Sequence, residues 1–531
     1  MKKRLLCLIL ALCTVLFCGC AGMENLLQSM GREVVPYRQM NYVRPDVGRI
    51  DKLLEDARTA AEGNDLDAVL DAIYTFNKFY DSFYTAYSLA DIRYCADLTD
   101  LYWVDEYTYC TENSAAVDAA LEELYYALAR SPLRQELESE EYFGPGFFES
   151  YDGENNWDEA FTALLEQEAD LQSRYYDLST QALDYEFGTE IYYEECGEEM
   201  AELLAELIRL RRDIAAYWGY DDYVSFANDF YYYRDYSISQ TEAYLAQIRQ
   251  ELVPLYEFVC ESDNWDDGRL YCAEQGTFSY VQESARAMGG IIADAFWLME
   301  QGGLYDISYG ENKYNSSFEV YLSTYQEPFV FMNPALTQWD KLTFAHEFGH
   351  FCNDYASWGS YAGTDVAEVF SQGMEYLSLC YGDHEQDLTW LKLADSVCLA
   401  SEQAAFADFE MRMYALEESR LNPEGLRALY EQVALSYGFD GESLVDWEFV
   451  TINHYYTNPM YIISYVVSND AALQFYQMEL AEPGTGLKCF EENLDTEAQY
   501  FLEFLERAGL QSPFAPGRLQ EVRKTLEDAL K

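Results

Sequence analysis

The segment His346-Glu347-Phe348-Gly349-His350 holds the residues of this chain that are best suited to chemistry. On an α-helix, residues i and i+4 lie on one face, so both imidazoles can reach a single metal ion. Glu347 then lies beside the water that completes the metal's coordination shell. The pattern is H-E-x-x-H, in which the two histidines bind zinc and the glutamate acts as general base. The chain has only 4 histidines in 531 residues, and two of them occupy this segment.

A third ligand is needed, because a catalytic zinc site typically has three protein ligands and one position open to water. The acidic candidates lie on the next predicted helix, where Glu368 and Glu375 share a face. Apolar neighbours at positions 367, 369 and 370 indicate that Glu368 is buried, and a buried carboxylate needs a cation. The stretch 355–363 contains Gly and Ser and can turn the chain back. Glu368 is therefore expected to meet the two histidines across a helical hairpin.

The flanking sequence predicts the elements that must position these side chains. Helical periodicity predicts a helix over about 338–356 with the motif at its centre. Upstream, the aromatic-rich alternation of Ser317–Leu322 predicts a strand, and Pro328–Asn333 predicts a second one. A short sheet beside the motif helix would offer an edge to which an extended peptide can add.

Taken together, these motifs resemble a known family. H-E-F-G-H followed by Val366-Ala367-Glu368-Val369-Phe370-Ser371 and then Glu375 is similar to the oligoendopeptidase F and thimet oligopeptidase family of zinc metallopeptidases. The Ala-Glu-Val form is closer to the oligoendopeptidase F branch. Further similarity lies in Leu207–Ala215 with Gly219–Tyr223, and in His454–Tyr465. The resemblance is specific around the two motif helices and weaker elsewhere.

The resemblance implies a metal centre and a base. His346, His350 and Glu368 would bind one zinc ion per chain, and Glu347 would deprotonate the metal-activated water.

The resemblance also implies that His454, Tyr461 and Tyr465 face the scissile peptide. Imidazole N–H and phenol O–H groups can donate hydrogen bonds to the oxyanion that develops there. Most of the 48 tyrosines must be packing residues, so the choice of these two depends on the family motif. Relatives tend to have a Gly-rich basic loop where this chain has Glu311–Ser317, so the substrate contacts stay open.

The N-terminus predicts where the protein works. Basic residues at positions 2–4 precede an apolar run from Leu5 to Phe17, which is typical of a signal peptide. Gly19 followed by Cys20 resembles the lipobox of bacterial lipoproteins. We therefore expect a lipid anchor on Cys20 that holds the protein, outside the cytoplasm, on the outer face of the bacterial cytoplasmic membrane; secretion after ordinary cleavage is the alternative. No other apolar run is long enough to span a membrane.

The charge of the chain limits the molecules that it can bind, and its cysteines bear on possible disulfides. The formal net charge of −62 excludes nucleic acid as a partner, because affinity for a polyanion comes from Lys and Arg. The same charge favours neutral or cationic peptides over acidic ones. Cys260 and Cys272 flank a polar loop and could pair in an oxidising compartment, but the sequence does not predict a disulfide.

The rest of the chain is predicted as a succession of helices, including single helices over 50–78, 241–260, 278–300 and 458–478. The expected fold is mainly α: a multi-helix zincin-type metallopeptidase with a small β-sheet beside the H-E-x-x-H helix and a deep substrate cleft. The predicted domains are a signal peptide (1–19), a tether (20–35), an N-terminal helical domain (36–195) and a catalytic zinc peptidase domain (196–531).

The predicted function is a zinc-dependent metalloendopeptidase that hydrolyses short oligopeptides. One alternative is an exopeptidase with the same three ligands, such as a dipeptidyl carboxypeptidase or an angiotensin-converting-enzyme-like enzyme. Peptides blocked at both ends distinguish it from an endopeptidase, because an exopeptidase needs a free terminus. The other alternative is a non-catalytic peptide-binding lipoprotein on the same scaffold. The intact base and both motif histidines argue against it.

Overall fold

Helices and one small sheet make up the regular structure in the computed structural model, which describes residues 34–139, 142–153, 159–181, 189–360, 362–382, 386–439, 447–496 and 498–531. The predicted signal peptide, Cys20 and the tether as far as residue 33 lie outside the described residues. Within the described ranges, no helix is both long enough and apolar enough to cross a membrane. The expectation of a mainly α fold with a small sheet is confirmed.

The described residues form two compact units. The first comprises those up to Glu166 together with Leu322–Gln326, and the second comprises 167–321 and 327–531. The division falls inside a helix and earlier in the chain than the domain boundary predicted after residue 195.

The first unit is built on four helices: α1 (Ile50–Ala61), α2 (Leu66–Ala96), α3 (Leu101–Ala129) and α4 (Arg134–Leu137). The single helix predicted over 50–78 is wrong, because Gly63 and Asn64 interrupt it and Asp65 starts a new helix by accepting the backbone N–H of Ala68. The core of this unit includes buried side chains from α1, α2 and α3, namely Leu54, Val69, Phe76, Leu124 and Leu128.

The second unit contains most of the helices. They are α5 (Glu159–Gln181, which begins in the first unit), α6 (Thr189–Tyr217), α7 (Tyr223–Phe230), α8 (Ile238–Glu251), α9 (Val253–Cys260), α10 (Glu274–Met288), α11 (Gly290–Gly302), α12 (Trp339–Ser357), α13 (Thr364–Ser378), α14 (Gln386–Met413), α15 (Pro423–Ser436), α16 (His454–Thr457), α17 (Ile462–Ala481), α18 (Thr485–Glu491), α19 (Phe501–Ala508) and α20 (Arg518–Leu530).

Two helices predicted as continuous are each broken in this unit. The helix predicted over 241–260 divides into α8 and α9, and Pro254 lies in the first turn of α9, where its missing N–H costs nothing. The helix predicted over 278–300 divides into α10 and α11 at Gly289 and Gly290. Both glycines have positive φ, 75° and 52°, a conformation that ends a helix and favours glycine.

The sheet has three strands, β1 (Tyr305–Asp306), β2 (Ser317–Leu322) and β3 (Glu327–Met332), in the order β1-β3-β2. β1 and β3 are parallel, with Tyr305 opposite Val330. β3 is buried along its whole length, whereas β2 is an edge strand that is mostly half-buried. The first predicted strand is confirmed with the same bounds, and the second begins and ends one residue earlier than predicted.

α13 packs against both α12, which carries the H-E-x-x-H residues, and α17, which carries Tyr465. Its contact with α17 includes a buried amide network. Gln372 Nε2 donates to the Tyr465 carbonyl at 3.1 Å and to Ser468 Oγ at 2.8 Å, and Asn469 Nδ2 donates to Gln372 Oε1 at 2.7 Å. Buried amides need such partners, so the network fixes the register of α17 against α13.

Candidate active site

Three predicted metal ligands converge between α12 and α13. Glu368 Oε2 lies 3.4 Å from His346 Nε2 and 3.8 Å from His350 Nε2, and one donor atom from each residue lies within 4.8 Å of the other two. A tetrahedral zinc ion with bonds of about 2.1 Å separates its ligand atoms by about 3.4 Å. The donor set of two imidazoles and one carboxylate, at these separations, fits a zinc ion.

A glycine allows the two helices to approach so closely. A Cβ atom at Gly349 would lie 2.5 Å from the Phe370 carbonyl oxygen and 2.6 Å from Ser371 Cα. Because real Cβ contacts are longer than this, any larger residue at position 349 would push α13 away. The glycine of the H-E-F-G-H segment therefore brings Glu368 within reach of the histidines.

His346 is oriented by a second, buried carboxylate. Its Nδ1 lies 2.8 Å from Glu375 Oε1, which calls for the tautomer that donates from Nδ1 and leaves the Nε2 lone pair for a metal. Lys392 Nζ on α14 lies 2.7 Å from Glu375 Oε2 and 3.1 Å from Asp395 Oδ2. Burial raises the pKa of Glu375, but Lys392 and His346 outweigh it and lower the pKa below its usual value. Glu375 is therefore ionised and can hold the His346 N–H.

The two histidines differ in their affinity for protons. Burial lowers the pKa of His346, but the hydrogen bond to Glu375 and the nearby carboxylates outweigh it and raise the pKa to about 9. Burial dominates at His350 and lowers its pKa to about 4. Both rings must be neutral at the donor nitrogen to bind a metal ion, so binding displaces a proton at His346.

Glu347 is buried and faces the edge strand. Burial raises its pKa to about 7, and a hydrogen bond from Ser317 on β2 opposes that shift. A pKa near neutrality suits a group that must both take and give a proton. Two positions along β2, Glu319 shares a hydrogen bond with Asp354 of α12, and burial raises the pKa of both carboxyl groups.

His454, Tyr461 and Tyr465 form one cluster beside the carboxylate ligand. Tyr461 Oη donates to Glu368 Oε1 at 2.6 Å, and Tyr465 Oη lies 3.4 Å from His454 Nε2. Ring centroids within the cluster are 5.2 to 5.7 Å apart. Burial raises the pKa of both tyrosines well above the usual value and lowers that of His454 to about 4. The hydroxyls therefore keep their protons, and the imidazole is neutral.

Buried charges hold the backbone that carries this cluster. Arg211, which is 0 % exposed, donates from Nη1 to the Tyr455 carbonyl at 2.6 Å and from Nη2 to the Tyr456 carbonyl at 2.5 Å. Its Nε donates to Glu168 Oε1 at 2.6 Å. These bonds fix the short helix α16, which begins at His454.

A left-handed residue separates α16 from α17. Met460 has a φ of 67°, and its N–H donates to Glu410 Oε1 at 2.7 Å. Arg234 Nη2 donates to the Met460 carbonyl at 2.8 Å. The helix predicted over 458–478 is therefore wrong at its start: α17 begins at Ile462, and the preceding residues turn Tyr461 towards Glu368.

All seven predicted site residues lie in one region of the second unit. Three of them form the metal-ligand group, Tyr461 contacts Glu368, and Tyr465 contacts His454. Their individual roles stay predictions.

Sequence reasoning missed the buried polar side chains that support the site, namely Arg211, Arg234, Lys392 and Glu410. For Lys392 the sequence offers one signal, a charge between two apolar residues in Leu391-Lys392-Leu393.

Part of the chain is similar to a known protein family. Residues 37–156 match the family described as the Peptidase M3 N-terminal domain. No curated protein sequence matches.

Solved structures share the fold over nearly the whole chain. A structure of an oligoendopeptidase F has a TM-score of 0.81 at 20% identity, covering 93% of this chain and 98% of that one. PZ peptidase A with an inhibitor has a TM-score of 0.80 at 18% identity, with the same coverage. An oligoendopeptidase F from Bacillus anthracis str. Ames has a TM-score of 0.78 at 20% identity, again covering 93% and 98%. These structures show that the chain has their fold, and the match over residues 37–156 agrees with the resemblance that the sequence motifs predict.

Proposed function

We propose that this M3-type protein is a zinc-dependent metalloendopeptidase that hydrolyses short oligopeptides. The supporting observation is the convergence of His346, His350 and Glu368 beside the buried carboxyl group of Glu347. A bound zinc ion would polarise the scissile carbonyl and lower the pKa of a water molecule.

The chain's own residues have separable tasks in that reaction. Glu347 takes the proton from the attacking water and passes it to the leaving amine, for which its raised pKa is suitable. Tyr461, Tyr465 and His454 are neutral donors held on a fixed backbone, where they can stabilise the oxyanion. Glu375 and Lys392 keep the His346 ring in place.

Edge strand β2 is the proposed seat of the substrate backbone. Its order in the sheet leaves one side without a partner strand among the described residues, and an extended peptide can add there. Ser317 on the same strand contacts Glu347, so the strand lies directly beside the proposed base. The net charge of −62 favours neutral or cationic peptides.

Zinc analysis combined with a blocked peptide tests the function. The purified chain should hold one zinc ion and cleave a fluorescence-quenched peptide blocked at both ends. Glu347→Gln should keep the zinc and lose at least about 10³-fold in kcat, because the base is removed while the ligands stay. Glu283→Gln, a change at an exposed glutamate, is the control and should behave like the unmodified chain.

Three results would contradict the proposal. A chain that binds zinc but cleaves only peptides with a free terminus is an exopeptidase. A chain that binds peptides without cleaving any is a binding protein. Full activity in Glu347→Gln would remove Glu347 from its role.

We also propose that the protein is an extracytoplasmic lipoprotein anchored at Cys20. The support is the basic start, the apolar run and the lipobox-like Gly19-Cys20 pair. In cells, the unmodified chain should partition into the detergent phase, and Cys20→Ser should move it to the aqueous phase. Equal partitioning of the two would refute the anchor.

A further inference from the structure

Two cysteines outside the candidate active site face each other across a helix pair. α9 packs against α14, and Cys260 is the last residue of α9. Cys260 is exposed, whereas Cys398 on α14 is buried, and both are free thiols. Neither is a predicted metal ligand or catalytic group.

The packing of the two helices places the sulfur atoms together. Tyr256 Oη on α9 donates to Glu402 Oε1 on α14 at 2.8 Å. Cys260 lies one helical turn after Tyr256 on α9, and Cys398 lies one turn before Glu402 on α14. Arg249, earlier in the chain than Tyr256, contacts Asp408, later than Glu402, so the two stretches run antiparallel. The contact between Tyr256 and Glu402 therefore predicts a contact between the cysteines. In agreement with this, the two thiol groups are close enough to shift each other's pKa.

We propose that Cys260 and Cys398 form a disulfide that links α9 to α14 under oxidising conditions. The pairing considered from the sequence, Cys260 with Cys272, is not the one that the structure favours. Cys272 is buried, and its Sγ lies 3.7 Å from Thr277 Oγ1.

The two thiols are suited to different steps of thiol–disulfide exchange, the reaction that would form this disulfide. The hydrogen bond from Cys398 lowers the pKa of Cys260 to about 7, despite burial, so part of it is thiolate at neutral pH. The same hydrogen bond and burial raise the pKa of Cys398. The exposed Cys260 is therefore the attacking sulfur and the buried Cys398 the resolving one.

The reaction needs a low-molecular-weight disulfide as oxidant. The Cys260 thiolate attacks one sulfur of that molecule, forms a mixed disulfide and releases one thiolate. Cys398 then loses its proton to solvent, and its sulfur attacks Cys260 Sγ. This forms the protein disulfide and releases the second small thiol. Two protein thiols are oxidised, and one small disulfide is reduced to two thiols.

Mass spectrometry of the full chain tests the pairing. The reduced protein is incubated with glutathione disulfide, remaining thiols are alkylated, and the protein is digested without reductant. We expect a peptide pair joined through Cys260 and Cys398 in most molecules. It should be absent from Cys260→Ser and from Cys398→Ala, and unchanged in the control Cys272→Ser.

Cys398→Ala provides a second measurement that does not depend on closing the disulfide. In that variant, Cys260 should stop at the mixed disulfide with glutathione, which adds the mass of one glutathione. The proposal is overturned if the unmodified chain also stops at that mixed disulfide. It is equally overturned if Cys260 joins Cys272 or if Cys260 is not modified at all.

Discussion

The metal-ligand group and the His454–Tyr465 segment achieve fixed geometry in different ways. The ligands lie on two regular helices that touch at Gly349, so close packing sets their positions. The segment that carries His454, Tyr461 and Tyr465 is broken by an irregular turn between α16 and α17, and buried polar groups hold its backbone. Regular elements can position side chains by contact alone, whereas an irregular segment needs partners for its free carbonyl and N–H groups.

The largest effect should come from removing a buried charge that holds the backbone of the His454–Tyr465 segment. Arg211→Met leaves Glu168 and two backbone carbonyls without their buried partner, which should cost about 3–5 kcal/mol of stability. The free energy of urea unfolding measures this. Any folded fraction should keep zinc but lose turnover.

Arg209→Met on the same helix is the matched control. Arg209 is 35 % exposed. It pairs with the exposed Glu418 and donates to the Leu421 carbonyl, so its loss should cost about 1–2 kcal/mol. Equal losses in the two variants would show that buried charge does not hold the segment.

The hydroxyl of Tyr461 should matter for turnover more than for metal binding. Tyr461→Phe keeps the ring and removes the donor, so kcat should fall about 10²-fold while the zinc content stays the same. Steady-state kinetics measures the fall in kcat, and metal analysis measures the zinc content. Tyr381→Phe removes a comparable tyrosine–carboxylate bond, to Glu479, outside the site and should leave kcat unchanged. Loss of zinc from Tyr461→Phe would show that the two regions are not independent.

Lys392 should act on metal affinity. Lys392→Met leaves Glu375 without its cation and loosens the His346 ring, so the Kd for zinc should rise about 10- to 100-fold. Competition with a chromophoric chelator measures this. The control is Lys488→Met, at an exposed lysine. An unchanged zinc Kd in folded Lys392→Met would exclude the supporting role.

The smallest effect should come from tightening the helix contact. In Gly349→Ala the new Cβ meets α13, an overpacking cost of about 1–3 kcal/mol, but the helix gains about 1 kcal/mol from the better propensity of alanine. We expect the free energy of unfolding to fall by about 1 kcal/mol and zinc to bind more weakly. Urea unfolding and chelator competition measure the two effects. Gly48→Ala is the control, because its Cβ would meet its nearest neighbour at 3.4 Å. A stabilised Gly349→Ala variant with normal zinc affinity would show that the contact is not limiting.

The parts of the site that could be predicted depend only on residues close together in the sequence. The H-E-x-x-H spacing predicts one helical face, and β2 has the predicted bounds, because local periodicity determines both. The left-handed Met460 was not predictable, because its conformation depends on Glu410 and Arg234, which are distant in sequence. Lys392 looked like an ordinary helical lysine, and only the fold shows that it meets a carboxylate on another helix.

If a peptide pairs with edge strand β2 as proposed, the strand sets the position of each peptide bond relative to Glu347. Each residue along an extended chain advances by about 3.3 Å, so sliding a peptide by one position would bring a different amide to Glu347 and turn every side chain to the opposite face. Main-chain pairing ignores side-chain identity. An enzyme that aligns its substrate in this way would tolerate many sequences, yet would cut each one at a position determined by how it is registered on the strand.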